Sequence, residues 1–263
     1  MKSKPTLSAV IVAKNEEQLL PGCLASLKFC DEIVVVVDES TTDRTAEIAK
    51  AAGARVYTRR LDNFAAQRNY SLEQVKSDWV LSIDADERVR RALREEIGRV
   101  TELGKSWGYE IPYRPYAFGL EIKHSGWVPS YQLRLFRAEG RFSGEVHEGV
   151  VPKGKVGKLI NPMIHYNYND VSQYIGKLNL YTSFEAGQMH KAGVRFKTSM
   201  LMVKPAREFA YRYLKQRGWK DGFIGFVIAG LMTFYRFAVV LKLWELGRQT
   251  DVARLYKDLD AKL

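Results

Sequence analysis

Short apolar runs and amphipathic stretches alternate over the first hundred residues, and few folds accept that order. Residues 7–13 (LSAVIVA), 32–38 (EIVVVVD), 55–58 (RVYT) and 79–84 (WVLSID) read as strands. Residues 16–29, 40–53, 63–76 and 89–103 read as helices. Thr and Asp stand where the second of these helices needs an N-cap, and Gly53 where it needs a stop. Pro21 is a blemish inside the first helix. Strands that are apolar throughout are buried on both faces. The spacing therefore predicts an α/β fold with a parallel sheet covered by helices on either side.

After Gly104 the texture changes to aromatics, Pro and Gly, read as irregular strands and loops. Residues 131–150 (YQLRLFRAEGRFSGEVHEGV) read as a hairpin-like pair turning at Ala138-Glu139-Gly140. From Ser172 the pattern is helical again. We place the boundary between Asn161 and Ser172, giving a compact domain over residues 1–165 and a helical region over 166–263.

The chain carries a formal net charge of +11, a balance that suits nucleic acid, anionic membrane or phosphate-rich ligands. Its location discriminates among these. Between Arg195 and Lys220 stand eight Lys or Arg residues and one acid, Glu208. Next come nineteen residues, Phe223 to Leu241, with the single charge of Arg236. Trp219 and Trp244 flank this stretch as interfacial anchors do. A spanning helix needs about 20 apolar residues. A polybasic segment gains roughly 1 kcal/mol per cation at an anionic leaflet. We read the stretch as a monotopic or re-entrant membrane contact, with a true span or a buried helix as alternatives. The start of the chain shows no signal-peptide pattern, and two cysteines, Cys23 and Cys30, read as small core residues in a reducing cytoplasm.

In parallel α/β sheets ligands bind beyond the carboxyl ends of the strands. Three polar clusters fall there: Lys14-Asn15-Glu16, Asp38-Glu39-Ser40 and Asp84-Ala85-Asp86. A fixed pair of carboxylates one residue apart suits Mg²⁺ or Mn²⁺, which favour carboxylate oxygen and share substrate phosphates. A loop of helix-capping acids is the competing reading of Asp84-Ala85-Asp86.

With these clusters in order, SAVIVAKNEE, VVVVDESTTDRT and NFAAQRNYSLEQVKSDWVLSIDADE resemble the family 2 nucleotide-sugar glycosyltransferases of GT-A fold. The later QLRLFR…GRFSGEVHEGV and HYNY…YIGKLNLYT resemble the subgroup that adds glucose to heptose of bacterial lipopolysaccharide inner core. The resemblance implies a UDP-sugar donor, a lipid-linked saccharide acceptor and inversion at the sugar, at the cytoplasmic face of the inner membrane. It implies that Ala13, Lys14, Asn15 and Glu16 line the uridine pocket and that Asp38 accepts from the uracil imide. Ser40 and Asp43 are near enough for the ribose, although Asp43 equally suits a helix cap. Gln67, Arg68 and Asn69 belong to the helix beneath the diphosphate, or to a solvated helix face. Asp86 is implied as metal ligand, and Asp84 as contact to the ribose or the metal's water.

A base must deprotonate the acceptor hydroxyl. Glu148 is the first candidate and Glu145 the second, with His147 as a further metal ligand. Trp127, Gln132 and Arg134 are assigned to the sugar or acceptor pocket, core packing being the other reading of Trp127. His165 and Lys177 match the subgroup without an assignable role. A sugar-phosphate nucleotidyltransferase is the alternative enzyme, but AKNEE lacks the glycine-rich basic loop that grips triphosphate. A nucleic-acid or lipid adaptor has no use for acids at Glu16, Asp38, Asp84 and Asp86, so no nucleic-acid partner is expected.

Overall fold

A computed structural model describes residues 4–144, 149–248, 256–257 and 260–261. In chain order the elements are β1 (Leu7–Ala13), α1 (Leu20–Ser26), β2 (Glu32–Asp38), α2 (Thr45–Ala51), β3 (Arg55–Arg59), α3 (Phe64–Glu73) and β4 (Trp79–Ser82). Then follow β5 (Glu87–Arg88), α4 (Arg91–Leu103), β6 (Gly108–Ala117), β7 (Leu120–Glu121), β8 (Tyr131–Arg137), β9 (Phe142–Ser143) and β10 (Gly149–Val150). The chain ends with β11 (Val156–Lys158), β12 (Met163–Tyr168), α5 (Val171–Lys191), α6 (Met200–Phe209) and α7 (Phe223–Gly247). Two compact units result. One holds residues up to Tyr116 and Pro129–Asn167; the other holds Ala117–Val128 and the chain from Tyr168 onward.

The first unit is built on a sheet of order β3-β2-β1-β4-β8-β6-β12-β5. The strands β3, β2, β1 and β4 run parallel, with Val10 opposite both Val34 and Ser82. Alternate residues of one strand serve opposite faces. Ala9, Ile11, Val35 and Val37 pack with Leu20 and Leu24 of α1 and Leu93 and Ile97 of α4. Val10, Val34 and Val36 pack with Ala65 and Leu72 of α3. That is why these strands show no polar alternation.

The sheet is mixed rather than parallel throughout. Beyond β4 it continues with β8, antiparallel, pairing Val80 with Phe136. Trp79, Val80 and Leu81 are wholly buried, so the free edge of β4 has to be covered by another strand. This corrects the expected hairpin: β8 pairs with β4 and β6, while β9 pairs with β10. A Cβ on Gly140 would meet the Phe136 ring at 2.6 Å, so glycine lets the chain fold back over that ring. Phe142 then packs edge-on against Phe136, ring centroids 5.9 Å apart.

Two local expectations also change. The first helix starts at Leu20, with Pro21 in its first turn, where a missing N–H breaks no helical bond. Cys23 is buried on α1 but Cys30 lies beyond it, its thiol pushed up to about 12 by burial.

The second unit is helical. Ala186 of α5 packs with Val239 and Leu243 of α7. Ala117, Ile122, Ile224 and Ile228 form a further cluster against which Trp127 packs. A π-helical turn (Ala210–Lys215) and a 3-10 turn (Gly218–Asp221) lead into α7. The chain closes tightly there, since a Cβ on Gly225 would lie 1.8 Å from the Gly218 carbonyl oxygen. Gly225→Ala should therefore destabilise the protein by about 1–3 kcal/mol, the range for forced overpacking. Denaturant unfolding checks this; an unchanged midpoint would show that α7 shifts freely. By length and composition α7, which contains the predicted stretch 223–241, is able to cross a membrane.

Candidate active site

Because β1, β2 and β4 run parallel, the three predicted polar clusters share one edge of the sheet. Ala13 is buried at the end of β1. Asn15 takes a left-handed φ of 53° and its Oδ1 accepts from Thr42 N at 2.9 Å, tying the loop after β1 to the loop after β2. Glu16 N donates to Thr45 Oγ1 at 2.8 Å. Asp43 accepts from Glu17 N and from Thr45 N, both at 2.9 Å. The carboxylate of Asp43 thus braces the turn before α2, whose N-cap is Arg44 without a side-chain cap.

Asp38 is 5% exposed. It accepts from the amide of Ser40 at 2.9 Å, from the Ser40 hydroxyl, and from Leu61 N at 2.7 Å, with Lys14 Nζ 3.7 Å away. The Ser40 hydroxyl, with the two amides and Lys14, outweighs burial and holds the carboxyl below its ordinary value. The stability it contributes is present above the unfolded pKa and is lost as pH falls through the lowered folded one. Asp38→Asn should cost on the order of 1 kcal/mol near neutrality. Melting temperature against pH should show the gap from wild type closing below about pH 4.

On α3 Gln67 and Arg68 are buried rather than solvated, and Asn69 is half-buried. Gln67, wholly buried, accepts from Arg59 Nη1 at 2.9 Å and donates to Arg59 O at 3.0 Å. Asn69 clamps the backbone of Phe142 from both sides, donating to its carbonyl at 2.9 Å and accepting from its N–H at 2.8 Å. Arg68 donates to Asp84 Oδ1 at 2.8 Å and lies 5.5 Å over the Phe142 ring.

The edge after β4 carries a connected set of charges. The chain does not run from Asp84-Ala85-Asp86 straight into a helix. It turns at Ala85-Asp86 and pairs β5 with β12, Glu87 opposite His165. The acids do not cap α4, which starts at Arg91 without a side-chain cap. Asp84 Oδ2 accepts from Arg134 Nη2 at 2.7 Å, so each oxygen of Asp84 holds one guanidinium. Arg134 is itself buried, bonding Tyr113 Oη at 2.7 Å through Nε and Glu87 Oε1 at 3.1 Å through Nη2. Glu87 is wholly buried and its other oxygen accepts from Asp84 N at 2.9 Å. Burial raises both carboxyls, but the charges of Arg134 and Arg68 prevail at Asp84 and hold it well below the usual range. At Glu87 burial prevails over Arg134 and the pKa is raised.

Asp86 faces a different partner. Among the described residues its carboxylate meets His165, Nε2 to Oδ2 at 3.4 Å. Burial opposes protonation of His165, yet the hydrogen bond and charge of Asp86, with Glu87 and Asp84, outweigh it and raise the imidazole pKa. Divalent Mg²⁺ ordinarily takes one or two carboxylates and completes its shell with water and phosphate. Asp86 suits that habit; each oxygen of Asp84 already accepts from one guanidinium. Among the described residues no three His, Cys, Asp or Glu side chains stand together as a ligand set.

Of the predicted pocket residues, Gln132 is exposed on β8 and Arg134 is consumed by the charge network. Trp127 belongs to the helical unit, where its ring packs edge-on to Tyr168 at 6.1 Å. Glu145, His147 and Glu148 lie outside the described residues.

The sequence profile of Glycosyl transferase family 2 matches residues 8–144. The chain belongs to this family. A lipopolysaccharide core biosynthesis glycosyltransferase, LpsC of Rhizobium meliloti, is 33% identical over 93% of this chain and 94% of its own length. An uncharacterized glycosyltransferase of Rickettsia typhi is 29% identical over 92% of this chain and 87% of its own. Among solved structures, residues 1–349 of S. aureus TarS in complex with UDP-GlcNAc align with TM-score 0.49 and 12% identity, over 91% of this chain and 89% of that one. By family and by the LpsC relative the protein is a glycosyltransferase, and its first unit is built on a mixed α/β sheet.

In this glycosyltransferase two site residues escaped sequence reasoning, Glu87 and Tyr113, and a third, His165, was noted without a role. Glu87 follows the carboxylate pair directly, and His165 stands in the noted HYNY stretch. The missing signal was the β5–β12 pairing, which joins positions far apart in the chain.

Proposed function

We propose that this glycosyltransferase is metal-dependent and inverting, and moves a sugar, glucose, from UDP to a lipid-linked saccharide. The proposed acceptor is lipopolysaccharide inner-core heptose, met at the cytoplasmic face of a bacterial inner membrane. The observation that carries the donor-site reading is Asp86. It is a carboxylate free of guanidinium partners among the described residues, on the edge where β1, β2 and β4 all end. The acceptor reading leans on likeness to the lipopolysaccharide core enzyme.

In this reading Asp38, on the loop edge beside Lys14, offers its carboxylate to the uracil imide. Lys14, Asn15, Glu16 and Ser40 shape the nucleoside pocket around it. Asp86 holds Mg²⁺ or Mn²⁺, which supplies charge neutralisation for the departing diphosphate. Arg68 and Arg134 fix Asp84 and so the turn that presents Asp86. Glu148, or Glu145 in its place, takes the proton from the acceptor hydroxyl. Gln132 contributes to acceptor binding, and the helical unit meets the anionic leaflet where that acceptor resides.

Calorimetric titration of UDP with and without Mn²⁺ tests the donor site. Binding only with metal is expected. Absence of binding under both conditions would overturn the nucleotide reading, and transfer from UDP-glucose to isolated inner-core lipopolysaccharide then tests the acceptor.

A further inference from the structure

Two unlike faces of α7 constrain how it meets a bilayer. One face is tied to its neighbours by polar bonds. Lys242 Nζ donates to Asn179 O and Oδ1 at 2.7 Å, and to Thr182 Oγ1 and Ser183 Oγ at 2.8 Å, all on α5. Arg236 pairs with Glu185 of α5 at 2.5 Å and with Glu208 of α6 at 3.2 Å. The other face carries Phe223, Phe226, Phe234, Phe237, Leu241 and Trp244, whose spacing places them on one helical stripe. Phe223 is 79% exposed, Phe226 51%, Phe234 49% and Trp244 41%.

Charge runs into this stripe at its N-terminal end. Arg207, Lys215, Arg217 and Lys220 are exposed and pair with no acid among the described residues. Exposed Leu214 and Trp219 interleave with them, and Lys220 lies 5.5 Å over the Trp219 ring. Cations alternating with large apolar side chains suit the headgroup layer of an anionic membrane, where each finds phosphate and acyl chain together.

We propose that α7 lies in the plane of an anionic bilayer surface, with the Phe223–Trp244 stripe sunk among the lipids, and that it does not span. This rests on the membrane contact proposed above and fixes its face and direction. A span would carry Arg236, Glu185, Glu208 and Lys242 to hydrocarbon depth, together with the polar flank of α5 that packs beside it. Lying flat, α7 keeps those groups on the protein side and puts the basic turn against lipid phosphates.

The test uses the full chain with Cys23→Ala and Cys30→Ala, nitroxide-labelled at Phe226→Cys or at Leu241→Cys. It is added to preformed vesicles of equal parts phosphatidylcholine and phosphatidylglycerol. These positions lie fifteen residues apart, roughly 22 Å along a helix. Ascorbate, which does not cross the bilayer, is then added outside. In-plane binding predicts that both labels are reduced and that both respond to lipid-soluble oxygen. Protection of one label and reduction of the other would establish a span and overturn the proposal. Failure of the unlabelled wild type to sediment with these vesicles would sink the membrane reading itself. Immobilisation of both labels without vesicles, in a sedimenting dimer, would make the stripe a subunit interface instead. Phe223→Cys and Trp244→Cys give the same readout should either labelled chain lose its helical circular dichroism.

Discussion

Asp86→Ala removes the Mn²⁺-dependent part of UDP binding and leaves the protein folded. The expected loss is on the order of 100-fold in affinity, about 3 kcal/mol. The carboxylate sits in a turn after β4, and among the described residues its side-chain partner is His165 at 3.4 Å. Its removal therefore costs the fold one marginal contact. Titration of UDP with and without Mn²⁺, beside a thermal melt of the same sample, separates the two effects. Metal-dependent binding retained by a folded variant would end the assignment of Asp86 as ligand.

Arg134→Met should have the largest effect on stability, about 3–5 kcal/mol, because it breaks a buried ion pair from one side. The guanidinium serves three partners at once: Asp84, Glu87 and Tyr113. Methionine fills most of the volume but leaves Glu87 buried with no cation on its Oε1 and Asp84 with Arg68 alone. Arg134→Lys should recover little, since an ammonium lacks the planar fork that reaches three acceptors. Denaturant midpoints of the two variants check this. A loss below about 1 kcal/mol would mean that water enters and solvates the freed carboxylates.

The first four strands and the positions of Asp38, Asp84 and Asp86 were legible in the sequence because each rests on local pattern. A run such as Val34–Val37 announces a strand buried on both faces, and a strand that ends in acids announces its own rim. The partners of those acids were not legible. Arg134 stood on an alternating strand and read as a pocket residue, because nothing local tells that β8 joins β4 rather than folding onto β9. The protein partners of Asn69 and Gln67 were hidden for the same reason: the backbone groups and guanidinium they bind come from other segments. Asp43 was expected either at the ribose or as a cap, and it stands one residue before the N-cap Arg44, where its carboxylate holds the turn. On α7, hydropathy marked the apolar stretch, but the polar bonds that tie Lys242 and Arg236 sideways depend on α5 and α6.

Chain connectivity also sets when the site comes into being. Asp84 is separated from Arg68 by 16 residues but from Arg134 by 50. The βα units up to β4 close short loops, while β8 and β12 arrive only after long ones, and long closures are slow. A ribosome-bound chain that has released β4 thus holds its acids beside Arg68 alone, without Arg134, and has β4 as a naked edge. The pairing that protects this edge from other chains is the same pairing that brings Arg134 to Asp84, so a molecule whose charge network is complete is one whose most aggregation-prone strand is already covered.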